Sequence, residues 1–303
     1  MNAALIYNPA AGGGAQAASQ PHAVVDVLVG MGYAVDLLET TGPGSAGKQA
    51  AEAVRRGAQV VFACGGDGTA HDVLQGIVGS GAALGVIPFG SANALARDLG
   101  LSMDPVVAAR QQATFVPRRV PVGRVELRGQ SRFFAVMAGT GPDGALVYRM
   151  LAGDKKHLGR FAYYVRAAWM FMGRRFRAFD VEIVRAGETE TVRAVEAMVV
   201  RVADMGGLFR GLADHTRRSV VDSMELRLVL VKPPAWLSLP LWFSSSWVGM
   251  QRWNPWVRVL TVDEFRCLGE GVDVQADGEW VGRGPVRVSL IEDGVWLMMP
   301  DES

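Results

Sequence analysis

The chain has 303 residues, 50% of them hydrophobic, and a formal net charge of +1. That is enough apolar material for a sizeable core in one large domain or, more readily, two, and the balanced charge removes any need for nucleic acid or a strongly acidic partner. Two distant cysteines, Cys64 and Cys267, exclude a disulfide framework and a Cys/His metal cluster and point to a reducing cytosol.

In chain order, the first hundred residues alternate two textures. Short apolar runs at 3–7, 34–38, 60–63 and 83–87 read as buried strands. Segments with helical periodicity lie between them at 20–31, 44–56 and 71–79. Strand and helix in alternation imply a parallel, Rossmann-like α/β sheet covered on both faces. The start of the chain has no basic region followed by a long apolar stretch, so no signal peptide is expected. No run of about 18 charge-free apolar residues appears either, so contact with a membrane is expected from its surface alone.

The texture changes near Arg118. Runs at 120–127, 132–137, 179–184, 193–202, 224–231, 257–262, 272–276, 285–290 and 296–299 read as short strands separated by turn residues. Such a series predicts an antiparallel β-sandwich, interrupted by a helix over 158–176. The expected division is an α/β nucleotide-binding domain over 1–118 and a β-sandwich domain over 119–303, whose last residues pack back on the first domain.

Three glycine-rich loops follow strands of the first domain. They are Asn8-Pro9-Ala10-Ala11-Gly12-Gly13-Gly14, Gly65-Gly66-Asp67-Gly68-Thr69 and Pro88-Phe89-Gly90-Ser91-Ala92-Asn93. A phosphate chain needs close approach to backbone N–H groups, which glycine permits, and a helix starting after the loop adds a favourable dipole end. Asp67 can orient water or Mg²⁺ or take a proton from a hydroxyl. Thr69, Ser91 and Asn93 offer side-chain partners to phosphate or adenine. Any one such loop reads as a tight turn between strand and helix. Three on one edge of a sheet favour a nucleotide site, although neither a P-loop ending in Gly-Lys-Ser/Thr nor a GxGxxG after the first strand is present.

These motifs resemble the diacylglycerol kinase catalytic-domain superfamily, which includes bacterial lipid kinases and sphingosine kinases. The matching residues are Asn8-Pro9 with Gly12, Gly65 to Thr69 and Gly90-Ser91-Ala92-Asn93, then Gly139-Thr140-Gly141-Pro142-Asp143-Gly144, Gly206-Gly207, Asp222 and Asp277-Gly278-Glu279 in the family's order. The resemblance implies an active site in the cleft between an α/β domain and a β-sandwich. It implies that Asn8, Thr40, Gly65, Gly66, Asp67, Gly68, Thr69, His71, Asp72, Ser91 and Asn93 line an ATP site. Asp277 and Glu279 would face the phosphates, one of them as general base. A structural Mg²⁺ would use Asp222 with the carbonyl oxygens of Ser219 and Met224. The chain departs from the bacterial diacylglycerol kinase pattern at Asn93-Ala94 and His71-Asp72, both closer to the sphingosine kinase version. It also lacks an acidic residue near Pro121 and has Ser223 where glycine is common.

The expected activity is ATP-dependent transfer of a γ-phosphate to a lipid hydroxyl, diacylglycerol-like or sphingoid-like. A carboxylate accepts the hydroxyl proton, and Mg²⁺ bridges phosphate oxygens. Asp277 and Glu279 rank first as the base and Asp67 next, while Asp72 is expected to cap or support its own helix. Taken alone, Asp277-Gly278-Glu279 reads equally as a polar hairpin turn. Two stretches suit a lipid surface: the basic and aromatic run 154–179, and 233–256 with Trp236, Trp242, Trp247, Trp253 and Trp256. Both read equally as core. The expected location is cytoplasmic and peripheral to the membrane, with a lipid partner and no nucleic acid; a homodimer is left open. Competing readings are a kinase of a soluble substrate, like NAD kinases and phosphofructokinases, and a lipid- or nucleotide-binding protein weak in catalysis.

Overall fold

The computed structural model describes residues 1–11, 20–152, 176–202, 221, 223–248, 250 and 253–301. The chain forms two compact units: Met1–Val122 with Glu292–Ser303, and Gly123–Ile291.

The first unit grows from apolar runs too continuous to leave either face in water. Strands β1 (Asn2–Tyr7), β2 (Ala34–Glu39), β3 (Val60–Gly65) and β4 (Ala83–Pro88) lie parallel in the order β2-β1-β3-β4. Every residue of β3 and β4 is buried, as a sheet covered on both faces requires. Helices α1 (Gln20–Gly30), α2 (Ser45–Arg55), α3 (Asp67–Ile77), α4 (Ala94–Asp98) and α5 (Pro105–Thr114) connect the strands or follow them. Helix α1 packs on α5 and α2 on α3. The core gathers Leu5, Val24, Leu28, Phe62, Ile87 and Met298. The end of the chain enters this unit, where Trp296 and Leu297 pair in parallel with Ala83 and Leu84.

Two features of this unit differ from the sequence reading. Helix α3 starts at Asp67, inside the segment read as a loop, with Gly66 extended at its N-cap (φ −89°, ψ −173°). Helices α4 and α5 were not expected. For α5 a signal was present: Asp104 caps the helix by accepting hydrogen bonds from the backbone N–H of Val106 and Val107, with Pro105 at the first helical position.

The second unit is antiparallel. One sheet has the order β12-β11-β10-β7-β14-β15: β12 (Val257–Val262), β11 (Leu226–Val231), β10 (Glu196–Val200), β7 (Met137–Thr140), β14 (Asp273–Ala276) and β15 (Glu279–Arg283). Opposite it, the start of β16 (Val286–Met299) pairs with β13 (Glu264–Cys267), which pairs with β8 (Phe179–Arg185) and then β9 (Glu188–Ala194). Val181, Phe265 and Val288 from this side meet Val199, Leu228 and Val274 from the other in one buried core, the interdigitated interior of a sandwich. The end of β5 (Val116–Leu127) pairs with β6 (Gln130–Phe134) around Arg128 and Gly129, both at positive φ. Two unexpected helices complete the unit. Helix α6 (Pro142–Ala152) begins within the segment read as a glycine turn, and α7 (Ala235–Trp247) lies in the tryptophan-rich stretch. The helix expected over 158–176 lies, but for its last residue, outside the described residues.

Candidate functional site

Three strands of the first unit end level with one another. Tyr7 pairs with Cys64, and Gly65 with Pro88, so the loops that follow β1, β3 and β4 leave from one edge of the sheet. They are tied together. Asn8 donates from Nδ2 to the Thr69 hydroxyl (3.2 Å), and its backbone N–H donates to the Cys64 carbonyl (3.0 Å). Asp67, in the first turn of α3, accepts at Oδ1 from the Ala94 backbone N–H (2.7 Å). A Cβ on Gly90 would stand 2.5 Å from the Gly66 Cα, so the second and third loops touch backbone to backbone, an approach open to glycine alone.

The remaining first-unit candidates divide by role. Thr40, just past β2, bonds through its backbone N–H to the Tyr7 carbonyl (2.8 Å), which puts it on the same edge. Ser91 is exposed, Gly65 ends β3, Gly66 is the N-cap of α3, and Gly68 lies in the first turn of α3. Asn93, at φ +50°, uses its side chain to latch its own loop, accepting from the Gly90 N–H (2.9 Å) and donating to the Gly90 carbonyl (2.7 Å). Asp72 accepts from the Gly44 N–H (2.8 Å), so it supports the start of the neighbouring helix α2 and not its own helix α3. His71 is buried.

In the second unit Asp277 and Gly278, both at positive φ, form the two-residue turn between β14 and β15. The Asp277 carboxylate is buried and accepts three backbone N–H bonds: Ala135 to Oδ2 (2.9 Å), Val136 and Met137 to Oδ1 (2.8 and 2.9 Å). Its lone pairs are committed to binding the turn to the chain that leads into β7. Glu279 differs. It is half-buried, and its carboxylate has no hydrogen-bond or ion-pair partner among the described residues. One turn thus presents a spent carboxylate and an available one.

A polar chain that sequence reasoning missed runs behind this turn. Gln275 accepts from the Gly278 N–H (2.9 Å) and donates to Asp143 Oδ2 (2.9 Å). The Asp143 N–H donates to Glu196 Oε2 (3.0 Å). Burial, then the negative charge of Asp143, holds the Glu196 carboxyl well above the usual carboxylate range, and burial pushes Asp143 up as well. The other Glu196 oxygen is buried with no hydrogen-bond partner, so ionisation there would go unsolvated. The signal was a lone charge in the apolar run Val195-Glu196-Ala197-Met198-Val199-Val200.

For the expected structural metal, Ser219 and Asp222 lie outside the described residues, and the Met224 side chain is exposed. The fully buried Arg201 donates from Nη2 to the carbonyls of Val221 (2.6 Å) and Ser223 (3.3 Å), on either side of Asp222 in the chain. These two carbonyls are not those of the expected set, which are the carbonyls of Ser219 and Met224. Among the described residues no three His, Cys, Asp or Glu side chains cluster as metal ligands.

The sequence pattern of the family described as diacylglycerol kinase catalytic domain matches residues 2–125. The chain is 31% identical over 235 residues to a diacylglycerol kinase of Bacillus subtilis (strain 168), covering 76% of this chain and 74% of the relative. It is 24% identical over 310 residues to a diacylglycerol kinase of Staphylococcus saprophyticus, covering 99% and 96%. Its fold is that of a crystal structure of a diacylglycerol kinase from Bacillus anthracis str. Sterne, with a TM-score of 0.75 at 21% identity over 99% of this chain and 97% of that one.

Proposed function

Because the chain belongs to the diacylglycerol kinase catalytic-domain superfamily, we propose that it is a lipid kinase that uses ATP to phosphorylate a lipid hydroxyl. The observation that carries this reading is the interlocking of three glycine-rich loops on one sheet edge, through Asn8–Thr69, Asp67–Ala94 and the Gly66–Gly90 contact. Such a set of preorganised backbone groups suits a phosphate chain. Strand ends are also where open α/β sheets take their ligands.

In this reading Asn8 and Asp67 fix the loops around the phosphates, while Asn93 keeps its loop in shape from within. Glu279 is the base, since its carboxylate is half-buried and unengaged and can accept the hydroxyl proton as the new P–O bond forms. Asp277 is a positioning residue that aims the turn bearing Glu279. Mg²⁺ would arrive on the nucleotide phosphates and neutralise charge on the transferring group. A structural Mg²⁺ would be held by Asp222 with the carbonyls of Ser219 and Met224.

No helix among the described residues is long and apolar enough to cross a membrane. Contact with the lipid surface is assigned to α7 and the residues after it. Positions 233–250 carry no charge, and Trp236 (68% exposed), Leu241, Val248, Met250 and Trp253 (83% exposed) face outward. Tryptophan at such positions favours the boundary between water and lipid. The test is incubation with γ-labelled ATP, Mg²⁺ and mixed micelles of candidate lipids. Labelled lipid supports the reading. ATP binding without labelled lipid across diacylglycerol, sphingoid base and phosphatidylglycerol would overturn it.

A further inference from the structure

A recess of about 450 Å³ opens on the edge of the second unit, where the β5–β6 hairpin, α6 and the edge strand β15 meet. Its wall is built. Trp280 Nε1–H and Arg283 Nε–H both donate to one oxygen of Asp273 (3.0 and 2.7 Å). The Trp280 ring lies 5.0 Å from that of Tyr148, centroid to centroid, and the Arg283 guanidinium sits over Tyr148 at 4.7 Å. Leu127 reaches into the space left by Gly282, where an added Cβ would stand 2.5 Å from the leucine Cδ2.

The charged groups lining this recess, Arg128 and Arg283, are donors, and Gln130 adds an amide. Arg283 spends Nε on Asp273 and keeps its two terminal nitrogens. Arg128, placed by the tight turn between β5 and β6, has no hydrogen-bond or ion-pair partner among the described residues. Among the described residues no carboxylate lines the recess, whereas Tyr148, Trp280, Leu127 and Val281 supply apolar and aromatic surface. Two guanidinium groups can divide the oxygens of a tetrahedral anion between them, while a single carboxylate is satisfied by one. The volume falls within the range of small-ligand sites.

We propose that this recess binds the phosphate of a phosphate ester with an apolar body, held by Arg128 and Arg283 against the Trp280–Tyr148 wall. The site adjoins Glu279 along β15 but does not depend on the kinase reading, since it binds without ATP.

The experiment is calorimetric titration of the full chain, without nucleotide, with dioctanoyl phosphatidate, dioctanoylglycerol, glycerol 3-phosphate and inorganic phosphate. Dioctanoyl phosphatidate is expected to bind best. Arg128→Ala, on an exposed hairpin, is expected to weaken it by about tenfold or more, the worth of one charge-assisted contact, with an unchanged melting temperature. Arg128→Lys should restore part of the loss. Equal binding of glycerol 3-phosphate or inorganic phosphate, lost in Arg128→Ala, would overturn the apolar body and leave a soluble phosphate as the ligand. Absence of binding, or binding unchanged in both Arg128→Ala and Arg283→Ala, would overturn the site, including the case in which the phosphate enters the nucleotide loops instead.

Discussion

Glu196 is a carboxyl group set where its charged form has little support. Buried in β10 beside Asp143, it keeps its proton in the folded state above the pH at which the unfolded chain gives it up. Folding stability therefore declines as pH rises from the ordinary carboxylate range toward the raised folded value, and is free of this cost below that range. Glutamine at this position cannot ionise and still offers an oxygen to the Asp143 N–H. Glu196→Gln should flatten the fall in melting temperature with rising pH, read by thermal unfolding across a pH series. An unchanged slope would place the proton elsewhere. Asp277 shows the limit of reading single residues. Its place in Asp277-Gly278-Glu279 was visible in the sequence, but its three donors lie about 140 residues away, and no local pattern announces them. The same motif was thus legible as a turn and as a pair of acids, while the division of labour between the acids was not.

At the scale of elements, the buried runs of β1, β3 and β4 were legible because strands covered on both faces are continuously apolar. The helices missed have specific reasons. Helix α6 begins with Pro142 after a run of glycines that reads as a turn, although proline at a first helical position is itself a start signal. Helix α7 is apolar on both its buried side, at Leu239 and Trp242, and its outward side, at Trp236 and Leu241, so it shows little periodicity. That outward side yields a prediction. Trp236→Ala and Trp253→Ala together should lower cosedimentation with lipid vesicles several-fold, given roughly 25 cal/mol per Å² of apolar surface withdrawn from water, without lowering the melting temperature. Undiminished vesicle binding would remove α7 as the contact. The contact between glycine loops gives another. Gly90→Ala puts a methyl group 2.5 Å from the Gly66 Cα and 2.8 Å from Asn93 Oδ1. Backbone must shift to admit it, and ATP affinity, measured by titration, should fall by about tenfold or more, the equivalent of the 1–3 kcal/mol typical of overpacking. Unaltered affinity would show that these loops do not hold the nucleotide.

For the whole molecule, the proposed reading gives the interlocked strand-end loops of the α/β unit the task of holding the phosphate donor, and the Glu279 carboxylate of the antiparallel sandwich the task of taking the acceptor's proton. Both units were legible in the change of texture along the sequence. The return of the chain's end to β4 was anticipated in outline, while its continuity with a single long strand, Val286–Met299, was hidden by Asp293 and Gly294 in its middle. The most direct measurement is phosphoryl transfer from γ-labelled ATP to lipid in mixed micelles, by the wild-type chain, Glu279→Gln and Asp277→Asn, each with its melting temperature. Glu279→Gln is predicted to keep the wild-type melting temperature and lose about 10²–10⁴-fold in kcat, the usual worth of a general base. Asp277→Asn turns one acceptor oxygen into a donor facing backbone N–H groups, so it is predicted to lose about 1–3 kcal/mol of stability and to lower activity through the displaced turn. Full activity in Glu279→Gln, together with a stable but inactive Asp277→Asn, would contradict the assignment of the base.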